Sequence, residues 1–129
     1  MRRATIAVSL VAALVLLTVT VATAHFKKYA TTATITLEGS PSGDSFKGKV
    51  NSNLSKCEKR QVLVYRQSAL VGQTRSDSTG AWELSLGGKF ASPGKYTAKV
   101  LRKKLQRSGH RHICKSTVSP EFKVGGGGP

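Results

Sequence analysis

The chain has 129 residues, with 21 Lys and Arg against 6 Asp and Glu, giving a formal net charge of +15. That length suits one compact domain. The scattered acids, Glu38, Asp44, Glu58, Asp77, Glu83 and Glu121, lie on separate segments and argue against the paired carboxylates of glycoside hydrolysis.

The first residues read as a secretory leader. Arg2 and Arg3 form a short positive segment, IAVSLVAALVLL an apolar one, and Ala22-Thr23-Ala24 the small residues that a signal peptidase reads. The alternative is a retained anchor, since the apolar run from Ala4 to Ala24 is nearly long enough to span a bilayer. The small-residue exit favours processing. Residues 1–24 are therefore expected to be a helical signal peptide, with no membrane span left after cleavage. Losing Arg2 and Arg3 would lower the net charge from +15 to +13. His25 would become the first residue of a secreted or envelope-associated protein. In that oxidising space Cys57 and Cys114 are expected to form one disulfide.

Beyond the leader, alternation with period two dominates. TTATITLEG predicts a strand with Ala33, Ile35 and Leu37 on one face. After the turn residues GSPSGD, SFKGKVNS places Phe46, Gly48 and Val50 together. RQVLVYRQ is apolar on both faces, Val62 and Val64 against Leu63 and Tyr65, which predicts a central strand buried on both sides. LVGQTRSD predicts a shorter strand ending at the turn DSTG, and AWELSL one with Trp82, Leu84 and Leu86 inward. GKYTAKVLRKKL predicts a long strand with Tyr96, Ala98 and Val100 on one side, and HRHICKSTVS and PEFKV complete the set. The expected fold is all-β, a sandwich of two antiparallel sheets with about seven strands and Greek-key connections. It would span residues 25–124, with residues 125–129 a disordered glycine-rich tail.

The order FKGKV, RQVLVYR, VGQTRSDSTGAWEL, SPGKYTAKV resembles the transthyretin-like, or carboxypeptidase regulatory-like, domains of secreted bacterial proteins. The matching positions are Gly48 and Val50, Val62 and Val64, Thr74, Asp77, Gly80 and Trp82, then Pro93, Gly94 and Tyr96. These residues have structural roles, so the resemblance implies a fold, the seven-stranded antiparallel Greek-key sandwich of the prealbumin or immunoglobulin-like kind, more than a function. The hydroxyisourate hydrolases of that fold end in Tyr-Arg-Gly-Ser. This chain ends in GGGGP, and its look-alike, Tyr65 to Ser68, lies mid-chain, so that activity is not expected.

Among chemical candidates, Ser76 and Asp77 with a histidine would make a hydrolase. No G-x-S-x-G elbow accompanies them, and Asp77 already has a turn to stabilise. A small copper protein is the alternative reading. His110 and His112 share a strand face with Cys114, and a mature His25 would offer an amine beside its imidazole. Arg107 and Arg111 flank that pair and oppose a cation, and no resident cofactor is expected. The reading preferred from sequence is non-catalytic: a monomeric binding or structural module of the cell envelope. Its partner would be an anionic polymer or another extracellular macromolecule. Arg102, Lys103, Lys104, Arg107 and Arg111, gathered around one hairpin, would do the binding. Specific nucleic-acid recognition is not expected, because no aromatics interleave the basic strand.

Overall fold

The computed structural model describes residues 25–107 and 109–125, with the backbone alone described for His25, Phe26 and Arg107. The expected signal peptide and the end of the glycine tail lie outside the described residues. Among the described residues no helix is long and apolar enough to cross a membrane.

The strands are β1 (His25–Tyr29), β2 (Thr31–Ala33), β3 (Thr36–Ser40), β4 (Gly43–Ser52), β5 (Gln61–Arg66) and β6 (Ala69–Arg75). They continue with β7 (Ala81–Ser85), β8 (Gly94–Val100), β9 (Lys103–Arg107), β10 (His110–Cys114), β11 (Thr117–Val118) and β12 (Phe122–Val124). β4 pairs with β2, β3 and β7 to make one antiparallel layer. β8 pairs with β5, β11 and β12, and β5 with β6, to make the other.

Alternation explains why these strands face one another. Ala33, Ile35, Phe46, Val50 and Trp82 from the first layer meet Val62, Val64, Tyr96, Ala98 and Val100 from the second in a single buried cluster. Each inward position is apolar, so both layers lose water from one face while the other stays wet. Leu63 and Tyr65 are only half-buried, so β5 is central within its sheet but buried on one face alone. Among the described residues no second layer covers its outer face.

The expected first strand divides into β2 and β3 without changing register: Ala33 opposes Val50 and Thr36 opposes Lys47. At the break, the Thr34 hydroxyl accepts the Lys49 N–H at 2.9 Å. Gly48 lies beneath that break, where a side chain would collide with the Thr34 carbonyl and the Trp82 ring. The glycine lets the indole lie flat on the backbone.

The turn DSTG closes as its residues require. Asp77 Oδ1 accepts the Thr79 N–H at 2.8 Å and the Thr79 hydroxyl at 2.6 Å, and Gly80 takes φ +88°. These bonds, Thr79's first among them, hold the Asp77 carboxyl below the usual carboxylate range. A folded value below the unfolded one means the stabilisation is complete above roughly pH 3.9 and is lost as pH falls through the folded value. Thermal midpoints should therefore decline from about pH 5 to pH 2, and less steeply in Asp77→Asn. Identical slopes in the two proteins would remove Asp77 from the acid response.

Candidate anion-binding face

The site is built on a hairpin that leaves one sheet for another. Cys114 opposes Lys103 in β9–β10, and Thr117 opposes Val100 in β8–β11, so a single register runs through both pairs. Between them, at Leu101 and Arg102, ladder pairing stops. The Leu101 N–H instead bonds the Gln61 carbonyl at 3.1 Å, and the Leu101 carbonyl accepts from the Arg60 guanidinium. The outer half of the hairpin is thereby released from the β8 layer. It gains β1 as a parallel neighbour, making the small sheet β1-β10-β9.

Period two then sorts the expected cations. Lys104 and Arg111 are exposed, while Lys103 and His112 are half-buried on the alternate positions. Arg102 is exposed in the break itself. Arg107 occupies the register position opposite His110. Lys104 and Arg111 therefore share one face of the hairpin and Lys103 lies on the other, because neighbours along a strand point to opposite faces.

The same sheet brings the three histidine positions together. His25 opposes His110 and Lys27 opposes His112 in the parallel pairing. The His112 ring meets Tyr29 edge-on at 5.4 Å, His110 lies 6.4 Å from His112, and the Lys27 ammonium sits 5.3 Å from the Tyr29 centroid. No group of three His, Cys, Asp or Glu suited to a metal ion occurs among the described residues. Cys114 is committed to its disulfide with Cys57, with Cα atoms 5.5 Å apart. The expected cysteine pairing is therefore present, and Cys114 is not a free ligand.

That disulfide carries the segment 55–60 against the hairpin. The segment begins as a single 3-10 turn, Ser55–Cys57, closed by the Cys57 N–H on the Leu54 carbonyl at 2.9 Å. Behind it Arg60 is 1 % exposed, although it is the largest fully buried side chain. Its guanidinium donates to the carbonyls of Leu101 at 2.9 Å, Cys57 at 3.2 Å, Cys114 at 3.3 Å and Lys115 at 2.7 Å, and to the Thr31 hydroxyl at 2.9 Å. Burial lowers its pKa from the ordinary value, yet a guanidinium stays charged in a protein. Arg60 makes no ion pair among the described residues; the bridge found there joins Lys47 and Glu38 at 2.7 Å.

In front of the turn, a hollow of about 290 Å³ is lined by Leu54, Lys56, Leu105, Gln106, His110 and His112. Lys103 also reaches this segment, its ammonium bonding the Lys59 carbonyl at 3.0 Å. Sequence reasoning gave Lys56 and Lys59 no place in the site. The available signal was Cys57 between them: any bond to Cys114 must carry these lysines to the HRHIC strand. Ser76, a candidate nucleophile from sequence, is bonded into the backbone around Arg60. It is 2 % exposed, accepts the Arg60 N–H at 2.7 Å and donates to the Glu58 carbonyl.

Comparison with protein-family models, with curated proteins and with solved structures finds no match to this chain.

Proposed function

We propose that the chain is an exported, non-catalytic module that binds anionic polymers of the cell envelope through the β9–β10 hairpin and the segment beside it. The observation that carries this reading is the gathering of Lys56, Lys59 and Lys103 around one hollow, beside a hairpin that exposes Lys104 and Arg111, in a chain of net charge +15. Polymer binding by such a surface is electrostatic and weakens with salt. The purified protein should be retained on an anionic wall polymer and released by rising NaCl. Arg102→Gln combined with Lys104→Gln and Arg111→Gln should elute earlier. Absence of salt-sensitive retention by a folded sample would end this reading.

The fold we propose for the module is the seven-stranded Greek-key sandwich of transthyretin-like domains, acting as a monomer. The registers support it: β2 with β3 and β8 with β9 each count as one interrupted strand, as do β10, β11 and β12, the last two pairing successive stretches of β8, which leaves seven beside β1. The Tyr96 hydroxyl supports it too, donating to the Ser92 carbonyl at 2.6 Å at the entry to β8. A tyrosine bonding back to upstream backbone at such a corner recurs in Greek-key sandwiches.

Copper binding is the second reading, favoured by the pairing of His25 with His110. Lys27 beside His112 weighs against it. Copper titration of protein beginning at His25 decides the matter. Weak binding unchanged by His25→Ala would end it.

A further inference from the structure

A second hollow, of about 410 Å³, lies where the segment 55–60 meets β9, lined by Ser55, Lys56, Lys59, Ser78, Lys103 and Leu105. We propose that this hollow is an oxyanion site that holds a phosphate group of the bound polymer, a refinement resting on the polymer-binding reading above. Its lining supplies three ammonium groups and two hydroxyls, with no carboxylate among them. Glu58, the acid nearest in sequence, reaches instead toward Gly80.

The floor of the hollow is ordered before any ligand arrives. The Lys103 ammonium is tethered to the Lys59 carbonyl at 3.0 Å and the Lys56 carbonyl at 3.5 Å, which leaves a third N–H for a guest. A tethered side chain has little rotamer freedom left to lose on binding. Arg60 lies behind this floor with its donors directed at carbonyls and Thr31, so its charge persists without an acid to neutralise it. Burial lowers the Lys103 pKa, and the charges of Arg60, Lys59 and Arg75 lower it further. A bound anion reverses that repulsion.

The donor chemistry selects the guest. A phosphate presents acceptor oxygens in three dimensions and suits several donors arriving from different segments, whereas a carboxylate presents two in one plane. Of the guanidiniums whose charge reaches Lys103, that of Arg60 is occupied by backbone and that of Arg75 does not line the hollow. Lys56 and Leu105 also line the neighbouring hollow with Leu54, His110 and His112. The remainder of the ligand runs from the phosphate across Leu105 toward the histidines.

Calorimetric titration of the full protein with tripolyphosphate, at low ionic strength, tests the site. Lys59→Gln with Lys103→Gln should weaken binding by about tenfold or more, since close charge pairs are lost. Lys56→Gln with Lys59→Gln keeps the Lys103 side chain and should give a similar loss if the fold is intact by thermal denaturation. The control, Lys95→Gln with Lys123→Gln, removes an equal charge from the β8–β12 pair and should change affinity by less than about twofold. Hexaglutamate should bind more weakly than tripolyphosphate to the unaltered protein. Equal losses in site and control variants, or a preference for hexaglutamate, would overturn the site while leaving polymer retention standing. Tight tripolyphosphate binding confined to the hollow, without retention on wall polymer, would keep the site and refute the polymer.

Discussion

Replacing Cys57 and Cys114 together by Ala is expected to lower the unfolding free energy by about 4 kcal/mol, from the chain-entropy cost of a loop this long. The two residues are 57 apart in sequence, and both side chains are fully buried, so Ala introduces no new polar group. The released loop contains β5, β6, β7 and β8, most of one layer and the edge of the other. In the unfolded chain those strands gain freedom that the bond had denied them. For a domain of this size such a loss is a large part of the total, and the thermal midpoint should fall by about 15–30 °C. Urea unfolding followed by circular dichroism, under non-reducing conditions, measures the change. A loss under about 1 kcal/mol would mean that the unfolded loop is already confined by residual structure. The double variant should also bind tripolyphosphate less tightly, because the disulfide holds Lys56 and Lys59 against β9.

Arg60→Met should cost about 3–5 kcal/mol, because several buried acceptors lose their donor at about 1–3 kcal/mol each. The methionine fills similar space but donates nothing. The carbonyls of Leu101, Cys57, Cys114 and Lys115 and the Thr31 hydroxyl then lose a donor away from water. Arg60 joins the 55–60 segment, β2, the end of β8 and the end of β10. Its removal should therefore loosen the sheet β1-β10-β9 before the main core. Arg60→Lys keeps the charge but not the fork, and should fall between Met and the unaltered protein. Hydrogen exchange localises the effect: faster exchange in β9 and β10, with β4 and β5 still protected, is expected. Unchanged stability in Arg60→Met would show that the guanidinium only tolerates its burial.

The strands of the main core were readable because alternation is a physical requirement. Inward positions such as Phe46, Val50, Val62, Val64 and Val100 must be apolar, and the next residue must face away. The Asp77–Gly80 turn was readable for a local reason, since a side chain bonding two residues ahead needs no distant partner. The β9–β10 hairpin was expected from its own sequence, and its register runs out to His110 opposite Arg107. The strand His25–Tyr29 was not foreseen. HFKKY has no apolar alternation, and its parallel pairing with β10 depends on a surface that exists only after the hairpin forms.

Arg60 lay hidden for a related reason. Composition places arginine at the surface, and only the convergence of four carbonyls from three chain segments makes burial tolerable. Among the cations expected to act together, Lys104 and Arg111 share one face of the hairpin, while Lys103 joins Lys56 and Lys59.

By itself, then, the sequence determined the period of the strands, the turn at Asp77, the availability of one cysteine pair and a large positive charge. These are consequences of side-chain chemistry at short range or of bulk composition. The tertiary structure decided which lysines share a hollow, which arginine is interior and where the hairpin changes sheets. Those outcomes depend on contacts between residues tens of positions apart, and no local pattern encodes them.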